Sequence, residues 1–396
     1  MPSLRPALAA IPRPFWVLVV GTFINRTGLV VVPFLALFLT SQRGVGVAAA
    51  TLAVSLYGAG AFAGGFLGGW ASDRFGRRPV LLASLVGGAV PVALLPFAST
   101  YAAVAVCALA FGLLAEMYRP AVSAVVADLL PEERRAQGYA LVYWAINLGA
   151  AVGPALGGYL ATRSYTGLFV LEGATLLIYA VLVAVAVPET KAESASGQRQ
   201  ALDLRPVARD GPLAVVSVVS LLVGIGFFQL FTALPLTMAA DGLSELDYGL
   251  VVTVNGGLIV LIGLPVAAFV GARLTSRLVP GAVALIAAGL ALMVTADTFL
   301  AYALCAVVWT LGEMAFLPVV PTIVSRLAPA ELQGSYQGVH HASWGLAKMI
   351  GPALGGLVLA ALSGPVLWAG SAALVALAAA GLLALRPVLQ RRLDAA

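Results

Sequence analysis

The sequence predicts an all-α membrane protein: twelve transmembrane helices in two six-helix, pseudo-symmetric bundles. Composition, the length of the apolar runs and an internal repeat carry that prediction. Of 396 residues, 61% are hydrophobic and 10% charged, whereas a water-soluble domain carries about 25% charge. A soluble fold of this size exposes too much surface to hide so many apolar side chains, so lipid must cover them. A helix needs about 20 residues to cross the hydrocarbon, and the runs reach that length. Two-residue alternation is absent, which disfavours a transmembrane barrel, and helices satisfy their own backbone hydrogen bonds in lipid.

In chain order, the expected first-half spans are residues 15–40, 48–71, 79–98, 101–128, 136–162 and 165–187. The first is too long for a signal-peptide core and lacks a small-residue cleavage pattern, so it is read as a retained span. A polar linker of 24 residues, 188–211, carries Lys191, Glu193, Ser194, Ser196, Gln198 and Arg199. Six more runs follow at 212–239, 247–271, 278–296, 299–326, 333–361 and 365–385. The expected domains are therefore 1–187, a cytoplasmic linker 188–211, and 212–396.

The formal charge of +5 does not point to nucleic acid, because its placement follows the topology. Arg13, Arg74, Arg77, Arg78, Arg134, Arg135, Lys191, Arg326 and Arg386 fall on one side, as do Arg5, Arg199, Arg205, Arg273 and Arg277; only Arg43 and Arg163 fall on the other. The positive-inside rule makes the crowded side cytoplasmic. An even helix count agrees, so both termini are expected in the cytoplasm and the chain in the inner membrane.

The halves repeat. Gly153-Pro154-Ala155-Leu156-Gly157-Gly158 recurs 198 positions later as Gly351-Pro352-Ala353-Leu354-Gly355-Gly356, and Cys107 and Pro131 recur at the same spacing as Cys305 and Pro329. Both cysteines sit in apolar runs without ligand-type neighbours and read as small core residues. Parallel six-helix repeats place a substrate site at their interface near the midplane.

Between the second and third spans the chain reads Gly69-Trp70-Ala71-Ser72-Asp73-Arg74-Phe75-Gly76-Arg77-Arg78-Pro79. This resembles the major facilitator superfamily signature Gly-x-x-x-Asp-Arg-x-Gly-Arg-Arg, in the place the family keeps it. With the six-plus-six layout the resemblance covers essentially the whole chain. Gly149-x-x-x-Gly153-Pro154-x-x-Gly157-Gly158 resembles the helix-5 motif of the twelve-helix drug:proton antiporter group, although its recurrence at Gly351, Pro352 and Gly355 weakens it as a marker. Phe169-Val170-Leu171-Glu172-Gly173-Ala174-Thr175 resembles a helix-6 pattern of relatives, and Pro188-Glu189-Thr190 is common across the superfamily. The second-half copy of the loop motif is worn to Gly271-Ala272-Arg273-Leu274-Thr275-Ser276-Arg277. The resemblance implies that Gly69, Asp73, Arg74, Gly76, Arg77 and Arg78 gate conformations through charge pairs between helix ends. Read without it, Arg77 and Arg78 anchor topology.

An ionisable residue at the bilayer centre costs about 2.5–3.5 kcal/mol on insertion scales, so each is a candidate for function. Arg26, Glu116, Arg119, Glu172, Glu313 and Lys348 are such residues, with His340 and His341 nearer the cytoplasm. Arg26 and Glu116 lie at matching depth, and helices 1, 4, 7 and 10 line the cavity in the resembled family. Glu116 and Arg119 share a helix face, beside a ladder weakened by Pro120; Glu313 is mirrored beside Pro318 and Pro321. We expect Glu116 or Glu313 to carry a coupling proton, with Arg26 and Arg119 tuning it; a static buried ion pair is the alternative. Glu172 is read as a structural hydrogen-bonding group, because helix 6 is peripheral in the family. Lys348 either snorkels or pairs with Glu313. Adjacent histidines point about 100° apart, so they cannot share one metal. Asn25, Tyr143, Asn147, Gln229, Asn255, His340, Trp344 and Lys348 are the candidate substrate-cavity residues, against interhelical packing for any one of them. The Gly149, Gly153, Pro154 and Gly157 set, with its second-half copy, is read as helix packing.

A nucleotide-binding Gly-x-x-x-x-Gly-Lys loop, a His-Glu-x-x-His cluster and a serine elbow are all missing from the sequence, which disfavours an ATP-driven pump, a metalloenzyme and a serine hydrolase. No cofactor and no metal are expected, and the chain is read as a monomer working on protons and a small-molecule substrate within the bilayer. Export of small organic molecules or drugs is the leading reading. Import of a peptide or organic zwitterion is the alternative: Ile24-Asn25-Arg26 keeps the arginine of the peptide importers' helix-1 motif but neither glutamate. A non-transporting receptor is a third class, disfavoured by the short linker and the lack of long soluble appendages.

Overall fold

The computed structural model describes residues 11–191, 207, 209–272, 278–329 and 332–394, and no strand occurs among them. Twelve helices follow one another: α1 Arg13–Gln42, α2 Val47–Phe75, α3 Arg77–Phe97, α4 Tyr101–Leu129, α5 Glu132–Ala161, α6 Tyr165–Ala186, α7 over 211–240, α8 Glu245–Ala272, α9 Leu278–Leu292, α10 Phe299–Leu327, α11 Gln333–Ala361 and α12 Gly364–Asp394. Eleven are long and apolar enough to cross a membrane; α9 is equally apolar but shorter. Arg5, Arg199, Arg205, Arg273 and Arg277, most of the linker and most of the worn second-half motif lie outside the described residues.

Four helices are not continuous rods. α1 breaks between Gly28 and Val31, then runs through Val31–Leu37 into a π-helical turn, Phe38–Gln42. α4 breaks at Met117, α7 loosens into a 3-10 turn at Gln229–Phe231, and α10 breaks across 317–319. One cause serves all four. A proline lacks its N–H, and its ring strikes the carbonyl four residues back. Pro33, Pro120, Pro235 and Pro321 place that disturbance at Leu29, Glu116, Phe231 and Leu317. The break in α4 therefore falls several residues before Pro120, and Arg119 sits in helix rather than at the break. Pro154 and Pro352 leave α5 and α11 uninterrupted.

The repeat extends to packing. α1 packs on α5 and α6, and α3 on α4 and α6; correspondingly, α7 packs on α11 and α12, and α9 on α10 and α12. Thr100 and Thr298, 198 apart, cap α4 and α10 by accepting from Ala103 N (3.2 Å) and Ala301 N (3.4 Å). Gly44 (φ 61°) and Gly242 (φ 83°), again 198 apart, take the left-handed conformation in the turns after α1 and α7.

Two compact units result: Met1–Val31 with Ala59–Gln198, and Val32–Gly58 with Arg199–Ala396. The chain crosses from one unit to the other at the break in α1 and again within α2. In the first unit, Gly60, Gly64 and Gly68 lie against the backbone carbonyls of Leu109, Leu113 and Met117, where a Cβ would collide. This is the small-residue stripe that lets membrane helices approach closely. In the second, α8 packs on α10.

Candidate functional site

The helix breaks sit beside the buried carboxylates. In the first unit Glu116, 6% exposed, ends the first segment of α4. Its carboxylate pairs with Arg119, whose side chain is half exposed. Arg26 is also buried, but its Nη2 donates to the Tyr118 hydroxyl at 2.5 Å, and its guanidinium lies 5.8 Å from that ring's centroid. Arg26 Nε has no hydrogen-bond partner among the described residues. The tyrosine that begins the second segment of α4 is thus the arginine's bonded neighbour, and sequence reasoning passed over it. Asn25 is buried on the same stretch of α1.

Glu172 closes the break in α1. Its Oε2 accepts from Val31 N at 2.6 Å and from Val30 N at 3.2 Å. These are N–H groups that the broken helix leaves without an i−4 carbonyl. The Thr175 hydroxyl donates to its backbone carbonyl at 2.9 Å. The structural reading of Glu172 thereby becomes specific, since its carboxylate caps the segment Val31–Leu37.

In the second unit the arrangement is built from neutral groups. Asn255 on α8 donates to Glu313 Oε2 at 2.7 Å and to Thr310 Oγ1 at 2.8 Å. Glu313, 6% exposed, takes part in no described ion pair. Lys348 stands elsewhere: its Nζ lies 4.5 Å over the Tyr57 ring and donates to the Tyr57 hydroxyl at 3.4 Å.

The other cavity candidates divide. Trp344 joins Phe227 and Phe228 in edge-on contacts at 5.8 and 6.2 Å. Gln229 is 2% exposed, and its Nε2 is bound to Gly351 O (2.7 Å) and Ile225 O (3.1 Å), tying α7 to α11. Asn147 donates to Tyr143 O within α5 at 2.8 Å, and Tyr143 is exposed. His340 is buried with Nδ1 3.3 Å from Ser220 Oγ, and its ring lies beside that of His341. No metal-binding group of three ligands occurs among the described residues.

The motif glycines of α5 and α11 lie against α1 and α7. A Cβ at Gly149 would meet Arg26 Cβ at 2.5 Å, and one at Gly153 would meet Thr27 O at 2.8 Å, so α5 lies close against α1 around Arg26 and Thr27. Gly351 approaches Ile225 O, and Gly355 approaches the Gln229 amide. Pro154, Gly157 and Pro352 are buried beside them.

The loop motif is organised around Arg77. Its guanidinium reaches Asp128 (3.1 Å), Asp73 (3.6 Å) and Ser72 O (3.0 Å). Arg74 instead lies over the Trp70 and Phe75 rings at 5.9 and 5.8 Å, and Arg78 Nη2 donates to Ala184 O. Glu189, in the Pro-Glu-Thr stretch, caps α3 by accepting from Arg77 N (2.9 Å) and Arg78 N (3.1 Å), and it accepts from Thr190 N and Lys191 N as well. Partial burial pushes its carboxyl up; the four backbone N–H groups outweigh that and hold it below its ordinary value. Gly76 (φ 107°) must be glycine on two counts, because a Cβ there would meet Glu189 Oε2 at 2.5 Å. Gly69 faces Pro120. Asp128 and Glu189 were missed as site residues because their partners are far away in sequence.

A family model described as Major Facilitator Superfamily matches residues 16–339 and again 216–395. The MFS-type transporter YttB of Bacillus subtilis is 30% identical over 88% of this chain and 89% of its own. A Na(+), Li(+), K(+)/H(+) antiporter of Planococcus maritimus is 24% identical, covering 86% and 88%. The class C tetracycline resistance protein of Escherichia coli is 30% identical, covering 71% and 72%. Among solved structures, a POT family transporter in complex with 5-aminolevulinic acid superposes with a TM-score of 0.78 at 17% identity, over 96% and 97% of the two chains.

Proposed function

Because the chain belongs to the major facilitator superfamily, we propose that this multi-pass membrane protein is a proton-coupled secondary transporter exporting small organic molecules by alternating access. The observation that carries the proton is Glu313: a buried carboxylate beside a broken helix, held by a neutral amide and in no described ion pair. Protonating it sacrifices no ion pair, whereas protonating Glu116 gives up the pair with Arg119. Glu313 is therefore the proton carrier in this reading, and Glu116 with Arg119 is the fixed partner in the other half. Two relatives support export against a proton gradient: one is named as a cation/proton antiporter, the other as a tetracycline resistance protein. The charge asymmetry of the sequence supports the inner membrane with both termini cytoplasmic.

Import of a zwitterion is the second reading, favoured by one observation. Arg26 is buried with Nε unpartnered, and a guanidinium with free donors suits a substrate carboxylate. Flux in proteoliposomes with an imposed pH gradient separates the readings, using tetracycline and a dipeptide as probes chosen after a thermal-stabilisation panel. Export predicts tetracycline movement against the proton flow, and Glu313→Gln should remove its dependence on the gradient. Full gradient-driven flux in both Glu313→Gln and Glu116→Gln would overturn proton coupling through these carboxylates.

A further inference from the structure

A cavity of about 670 Å³ opens in the second unit where α7 ends and α12 begins, away from Glu313 and Asn255, neither of which lines it. Its size is that of a drug-sized ligand site. Leu37, Leu236, Met293 and Trp368 give it an apolar wall. Asp241 is the one ionisable carboxylate on that wall, and no lysine, arginine or histidine lines it among the described residues.

Asp241 is exposed, and two details set it apart from an ordinary surface acid. The Tyr302 hydroxyl donates to its Oδ2 at 2.6 Å, fixing the carboxylate's orientation. Asp241 is also the C-terminal cap of the helical segment Ala233–Ala240. That is the negative end of a helix macrodipole, where an acid is disfavoured and a cation is favoured. A charge set against the local field is the kind of inconsistency that functional sites retain. Trp368 lines the same cavity. The indole is the strongest of the aromatic rings toward a cation. Thr40 and Ser41 reach the cavity from the π-helical turn Phe38–Gln42, a conformation common at functional sites. The neighbouring Arg43 has its guanidinium over the Phe38 ring, 5.4 Å from its centroid.

We propose that this cavity binds an amphipathic organic monocation, with Asp241 as the counter-charge and the Trp368 wall taking the apolar body. The proposal does not rest on proton coupling: gradient-independent flux would remove that reading and leave this one standing.

Tetraphenylphosphonium is the probe, and tetraphenylborate, of like shape and opposite charge, is the control. Titration calorimetry and thermal unfolding are run on the full chain in detergent. The cation is expected to bind saturably and to raise the unfolding midpoint, while the borate does neither. Asp241→Asn should weaken the cation about fivefold, the scale of one partly exposed charge pair, and Tyr302→Phe, which frees the carboxylate, should weaken it less. Ligand-free unfolding midpoints check that each variant is folded. Equal binding of the borate or unchanged affinity in a folded Asp241→Asn would each overturn the assignment.

Discussion

Glu116 and Glu313 are 197 positions apart, one residue out of step with the repeat, and each is buried in a helix that a proline breaks, yet they are held by opposite chemistry. Glu116 has an arginine one turn along its own helix. Glu313 has an amide from a different helix and a hydroxyl bonded to that amide. The repeat has preserved the backbone event and the carboxylate while letting the partner diverge. A carboxylate tied to a fixed cation keeps its charge; one held by neutral donors can change charge without stranding a counter-ion. The halves therefore share an architecture and divide the electrostatic work.

The largest expected effect breaks that symmetry outright. Glu313→Gln should abolish the response of flux to an imposed pH gradient, while Glu116→Gln should retain a measurable response at a lower rate. Equal losses in the two variants, measured in matched proteoliposomes, would erase the distinction.

Next in size is the asymmetry within the first-half pair. Removing Arg119 takes the paired cation from a buried carboxylate, whereas removing Glu116 takes the partner from a guanidinium that is already half exposed. Arg119→Gln should therefore cost about 1–3 kcal/mol of stability, and Glu116→Gln markedly less. Thermal unfolding in one detergent compares them.

A third test concerns Glu172, which has no counterpart: the position 198 residues later is Gly370, with open space around it. Val30 N also reaches Gly28 O at 2.8 Å, so Val31 N is the donor that depends on the carboxylate. Glu172→Leu should cost about 1–3 kcal/mol for that stranded donor. Glu172→Gln, which keeps an acceptor in place, should cost less than half as much in the same unfolding assay. Equal losses would mean that shape rather than the cap holds the break.

Much of this was legible in the sequence, and the rest was not for identifiable reasons. Run length marked the spans, and the 198-residue repeat is mirrored in the matched packing of the two halves. Proline positions carried the four breaks, whose effect lies about four residues upstream of each ring. Contacts along one helix, such as Glu116 with Arg119, follow from spacing. Contacts between helices do not, because they depend on how each helix is rotated about its axis. Arg26, placed by the sequence at the depth of Glu116, has its hydrogen bond on Tyr118; Lys348, for which Glu313 was one alternative, lies on Tyr57. The pairing of Asn255 with Glu313 was hidden for the same reason, as was the cap that Glu189 places on α3 from 112 positions away.

That cap supplies the smallest effect and the one with a pH sign. Four backbone N–H groups hold the Glu189 carboxyl below its ordinary value. The unfolded chain therefore binds a proton at a higher pH than the folded one, and the stabilisation is fully present above the unfolded glutamate value of about 4.3. It fades as pH falls through the lower, folded value. Hydrogen exchange at the Arg77 and Arg78 amides should report this directly, with protection at neutral pH and its loss, beyond the intrinsic acid dependence of exchange, below the ordinary carboxylate range. Glu189→Gln should flatten that dependence, because an amide oxygen accepts at any of these pH values. Glu189→Ala should remove the protection throughout and cost about 1 kcal/mol, the usual worth of a helix N-terminal cap. A wild-type protection profile that matches that of Glu189→Gln down to acid pH would show that geometry alone, and not the charge, holds the turn that joins α2 to α3.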